Sequence, residues 1–118
     1  MQPTTCIRLC GVFGGLAVAL GALAAHAMQG RFPEPALAVF EKAVRYQMYH
    51  ALALGLCGLL GLFGCCSRGA AWCFLAGIVL FSGSLYGYVL LDVHWLVHVT
   101  PFGGLSFVAG WVLLAWNG

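Results

Sequence analysis

His26, His50, His94 and His98 are the side chains of this sequence best suited to move protons or bind metal near neutral pH. Gln47 and Tyr46 precede His50 by three and four residues, so on a helix all three share one face. His26, Tyr46, Gln47 and His50 therefore form the candidate polar cluster, read first as hydrogen bonding between helices and second as a ligand or proton site. Imidazoles could hold copper or zinc, with Asp92 or a nearby glutamate completing the shell, and a pair of them could hold haem. No close-spaced ligand motif such as H-E-x-x-H occurs, so no metal and no other cofactor is expected.

The other reactive side chain is cysteine. Cys6, Cys10, Cys57, Cys65, Cys66 and Cys73 include no C-x-x-C pair, which a small membrane thiol oxidoreductase would carry. A buried cysteine usually serves as a small hydrophobe. The adjacent Cys65 and Cys66 could be acylated in a eukaryotic cell. No nucleophile–base pair, phosphate-cradling loop or pair of catalytic carboxylates is present, and the reading is that the protein is not an enzyme.

The elements that would position these groups follow from the charges. Of 118 residues, 63% are hydrophobic and 7% are charged, whereas soluble domains carry about 25% charged residues. Too few charges remain to cover a water-facing surface, so the expected surroundings are a lipid bilayer. The net charge of +2 gives no reason to expect nucleic-acid binding. Uncharged runs of 22, 22, 23 and 26 residues extend over 9–30, 46–67, 69–91 and 93–118. Each is long enough for a helix to cross a hydrocarbon core of about 30 Å.

The expected fold is thus an all-α integral membrane domain spanning 1–118, an antiparallel bundle of four transmembrane helices near 6–28, 44–65, 70–91 and 96–116. Leu37, Phe40 and Val44 recur at helical spacing beside Glu41, Lys42 and Arg45, which predicts a short amphipathic segment leading into helix 2. Arg8, an apolar stretch and Ala25-His26-Ala27 imitate a cleavable signal peptide, but retention as helix 1 is the favoured reading. At the fourth helix, Thr100 could be the N-cap with Pro101 behind it, or the helix could start near Trp95 and kink at Pro101.

Short loops would put loops 1 and 3 on one membrane face and both termini with loop 2 (Ser67 to Gly69) on the other. All four histidines would then lie toward the loop-1/3 face. Arg31, Lys42 and Arg45 against Arg8 and Arg68 lean that face toward the cytoplasm. Gly11 and Gly15, Gly83 and Gly87, and the glycines from Gly55 to Gly64 supply small-residue packing faces, where close backbone approach holds helices together in lipid.

Four segments, "GALAAHAM" (Gly21 to Met28), "VRYQMYHALAL" (Val44 to Leu54), "FLAGIVLFSGSLYGYVL" (Phe74 to Leu90) and "TPFGGLSFVAGW" (Thr100 to Trp111), together resemble the domain-of-unknown-function family number 423. That family comprises small bacterial inner-membrane proteins and is similar to the eukaryotic transmembrane protein 256. It usually reads G-A-F-G-A-H where this chain has Leu23 and Ala24 before Ala25 and His26. The resemblance implies four membrane helices and no established activity. It directs attention to Ser82, Ser84, Tyr86, Thr100, Pro101 and Gly103 besides the polar cluster.

The leading expectation is a non-enzymatic accessory or scaffold protein that packs as a homo-oligomer or with a partner membrane protein. A small oligomeric transporter or channel is the alternative, although Glu34, Glu41 and Asp92 all fall at helix edges rather than deep in a span. The expected location is the bacterial inner membrane, or the mitochondrial inner membrane if the source is eukaryotic.

Overall fold

A computed structural model describes residues 1–65 and 68–117; these are helical almost throughout and contain no strand. We label the helices α1 (Pro3–His26), α2 (Glu34–Leu62), α3 (Arg68–Leu90) and α4 (Thr100–Asn117). The predicted second loop falls partly on Cys66 and Ser67, which lie outside the described residues, as does the adjacent-cysteine pair.

Prolines set the helix starts. Pro3 opens α1 and Pro35 lies in the first turn of α2, where a backbone N–H has no intrahelical acceptor anyway. The amphipathic segment and the second apolar run form one continuous helix of 29 residues. At 1.5 Å per residue α2 is about 43 Å long, and it sets the longest dimension of a molecule measuring 48 × 26 × 17 Å. Its end is a glycine cap. Gly64 has φ of 77°, Gly64 N–H donates to Gly61 O and Cys65 N–H donates to Leu60 O. This is the Schellman pattern, which requires a left-handed residue at that position.

Three helices, counted over the described residues, are long and apolar enough to cross a membrane: Pro3–His26, Arg68–Leu90 and His94–Asn117. Although α2 is the longest helix, it is not one of them. Glu41, Lys42 and Arg45, followed by Gln47 and His50, dilute its apolar character. It is instead the packing centre, with ten of its residues buried from Leu37 to Gly58.

α1 lies along α2 with opposed chain direction. A Cβ on Gly58 would meet Ile7, Pro3 O and Cys6, one on Gly55 would meet Cys10, and one on Gly21 would reach Val44. α3 packs on α2 through Phe74, Ile78 and Ser82, and α4 packs on α3 in the same opposed sense, with Phe107 against Gly77 and Phe74 against Gly110. Two apolar clusters result, one around Leu54, Cys57, Phe74 and Phe107 and one around Ala24, Leu37, Phe40 and Val89.

α3 is not uniform. Its centre, Ile78–Gly83, is a π-helix between two α-helical stretches. Such wide turns are uncommon and concentrate at functional or tightly packed places. The start of α4 agrees with neither expected form. A 3-10 turn, His94–His98, comes first, and α4 begins at Thr100 with Gly103 N–H donating to Val99 O. Pro101 sits in the first turn, where its missing N–H costs nothing, and Thr100 Oγ1 bonds back to Leu96 O rather than capping forward.

Candidate functional site

Between the two apolar clusters lies a layer of polar side chains, built mainly on α2. Gln47 is 3% exposed and His50 is 4% exposed, so in lipid or protein alike their polar atoms need partners. Gln47 Nε2 donates to Phe13 O of α1 at 2.8 Å, and its Oε1 accepts from the Tyr86 hydroxyl of α3 at 2.6 Å. One side chain thereby ties together three helices.

His50 is held as firmly. Trp111 Nε1–H donates to His50 Nε2 at 3.0 Å, and His50 Nδ1 lies 2.7 Å from Tyr46 O. An indole can only donate, so Nε2 must be the unprotonated nitrogen, and Nδ1 carries the proton given to the Tyr46 carbonyl. The ring also stacks on Phe107 with centroids 3.5 Å apart and planes 10° apart. Tyr46 continues the aromatic layer, stacking on Phe81 at 4.8 Å. With both nitrogens engaged, this imidazole is neutral and has no lone pair left for a metal.

The π segment contributes the next contacts. Ser82 Oγ donates to Ala43 O of α2 at 2.7 Å, and the Ser84 hydroxyl lies 2.6 Å from Thr100 Oγ1. Ser106 Oγ of α4 donates to Cys73 O at 2.7 Å. No buried side-chain N or O among the described residues is left without a partner. Gly103 stands where a Cβ would run into Phe81 N and Phe81 Cα. That glycine lets α4 lie directly on the backbone of the π segment. Pro101 is exposed.

The expected meeting of His26 with Gln47 and His50 does not form. His26 is exposed at the end of α1, whereas Gln47 reaches Phe13, thirteen residues or about 20 Å back along the same helix. The polar pair is correspondingly deeper than expected. His50 is level with Trp111, about 16 Å along α4 from Thr100. Of the remaining histidines, His98 is exposed, and His94 makes an exposed pair with Asp92 at 2.7 Å. No group of three or more His, Cys, Asp or Glu among the described residues is placed to hold a metal ion.

Phe107 and Trp111 also belong to this layer; both lie in the "TPFGGLSFVAGW" segment, but neither is among the site residues that the sequence singles out. A tryptophan inside an apolar helix has one N–H that must find an acceptor. That requirement marks Trp111 but does not say which acceptor it finds.

A profile of the family described as protein of unknown function (DUF423) matches residues 20–104. A UPF0382 membrane protein of Staphylococcus aureus (strain bovine RF122 / ET3-1) is 45% identical over 100 residues, covering 84% of this chain and 82% of the relative. The UPF0382 membrane protein YwdK of Bacillus subtilis (strain 168) is 43% identical over 102 residues, covering 84% and 83%. No solved structure matches. Gln47, His50, Ser82, Tyr86 and Thr100 lie inside the matched region, whereas Phe13, Phe107 and Trp111 lie outside it, and the chain belongs to the membrane-protein family described as protein of unknown function (DUF423).

Proposed function

We propose that this protein is a non-enzymatic accessory or scaffold component of the bacterial inner membrane, folded as an antiparallel bundle of four transmembrane helices. It packs with itself or within a larger membrane complex. The observation that carries this reading is the state of the polar layer. Gln47, His50 Nε2 and Ser82 bond from helix to helix, and His50 Nδ1 is taken up within α2, so the layer acts as a lock.

The fourth crossing is supported by α2 itself. It lies antiparallel to α1 and α3 along most of their length, so it shares their depth. Packing with other chains is supported by α1. A Cβ on Gly11 or Gly15 would meet nothing within 4 Å, so this G-x-x-x-G pair is not used inside the molecule and faces outward.

Purification in mild detergent tests the reading. A defined oligomer or a stoichiometric partner is expected, and Gly11→Leu with Gly15→Leu should dissociate it. A strictly monomeric, partner-free species, or solute flux in proteoliposomes that His50→Ala abolishes, would overturn it.

A further inference from the structure

Where α2 and α4 diverge toward the 27–33 and 91–99 loops, they leave a cleft of about 400 Å³ floored by α3. Val39 of α2 and Val97 of the 3-10 turn form its walls, with Phe81 and Tyr88 beneath and Gly104 on α4. Phe81 in its lining also packs against the rings of Tyr46 and Phe107. Lys42 is the single charged residue in the lining, and no carboxylate lines the cleft with it.

Lys42 is exposed on α2 with Glu41 beside it and Arg45 three residues further in, and the register between helices gives its depth. Val44 is level with Gly21 and Ala43 is level with Ser82. By helical rise Lys42 then lies about 5 Å inside the end of α1 and about 10 Å inside the end of α3. At this level the other helices carry no charge at all, since 9–30, 69–91 and 93–118 are free of Asp, Glu, Lys and Arg. Among the described residues the one ion pair is His94 with Asp92, so Lys42 makes no ion pair with a carboxylate there. A lysine so placed runs its stem along apolar surface and lifts its ammonium to the phosphate level. There it attracts anionic lipid.

We propose that this cleft binds an anionic membrane lipid, its acyl chain lying between α2 and α4 over Phe81 and Tyr88 and its headgroup held at Lys42. The chain of such a lipid fills an apolar volume of the size small-molecule sites have. The headgroup supplies the charge that the bundle lacks. The proposal does not rest on the scaffold reading, because a monomer and an oligomer both present the cleft.

Native mass spectrometry of the full chain, given equal phosphatidylglycerol and phosphatidylcholine with the same acyl chains, tests it. One cation at headgroup level contributes about 1 kcal/mol, so the anionic one-to-one adduct should exceed the zwitterionic one by about fivefold. Lys42→Gln should bring the ratio to about one, and Lys42→Arg should keep it. A Cβ at Gly104 meets only the Phe81 ring, at 4.0 Å, so Gly104→Leu projects into the cleft without striking backbone. That variant should lose both adducts while keeping its helical circular dichroism, and Val97→Trp should do the same. The proposal is overturned by equal adducts in the unaltered chain, by a preference that survives Lys42→Gln, or by adducts that persist in both cleft-filling variants. A dimer, rather than a lipid adduct, that disappears with Lys42→Gln would also overturn it and assign the cleft to a second copy. Because oligomers are counted in the same spectra, loss of the lipid and loss of self-packing are read separately.

Discussion

Gln47 shows how much one side chain can do in this molecule. Its amide joins α1 to α2 and its carbonyl joins α2 to α3. Gln47→Leu removes both bonds and strands the Tyr86 hydroxyl, a change expected to cost about 1–3 kcal/mol. Combined with Tyr86→Phe, the loss should be smaller than the sum of the single losses. The coupling should lie near 0.6 and below about 1.7 kcal/mol, the range of side-chain hydrogen bonds between membrane helices. Unfolding in detergent measures the cycle, and strict additivity would show that the two groups do not meet. The spacing of Tyr46, Gln47 and His50 was legible in the sequence because helical periodicity is local. Their partners were not, since Phe13, Tyr86 and Trp111 come from other helices at separations of 34, 39 and 61 residues.

The contact between α3 and α4 turns on two adjacent glycines with opposite roles. Gly103 faces the backbone of the π segment, which cannot step aside, whereas Gly104 faces the cleft. Gly103→Ala should therefore push α4 off α3 and cost about 1–3 kcal/mol as an overpacked contact. Gly104→Ala should be neutral or stabilising, by as much as about 0.5–1 kcal/mol from the lower cost of ordering Ala in a helix. Melting temperatures in one detergent should rank Gly104→Ala at or above the unaltered chain and Gly103→Ala below it. Equal melting points would rule out the close approach. The elements themselves were largely legible, because apolar runs between charges located the helices; the ends at Pro3, Pro35 and Gly64 came from the structure. The π segment was not, because "GIVLFSGS" has no local composition that demands a wider turn. It lies where Ser82 bonds to α2 and Gly103 admits α4, contacts that only neighbouring helices supply.

For the whole molecule, the decisive question is whether α2 crosses the membrane despite its charges. If it does, loop 1 and the α2–α3 connection face opposite sides. An impermeant maleimide applied to intact inverted and right-side-out vesicles should label Gly30→Cys and His94→Cys from one side, in a background lacking the other cysteines. It should label native Cys65, which is exposed, from the other. Labelling of Gly30→Cys and Cys65 from the same side would show that α2 does not cross. The sequence by itself determined that the chain is a helical membrane protein, because charge density and the length of apolar runs are set by composition and order alone. It also located the polar residues of α2. Only the tertiary structure decided that His26 stands apart, that His50 is a neutral ring locked between Tyr46 and Trp111, and that Lys42 borders an open cleft. These depend on which faces of separate helices meet. Register between helices is fixed by side-chain fit across the interface, at Gly55, Gly58 and Gly103 above all, and no local pattern along one helix contains it.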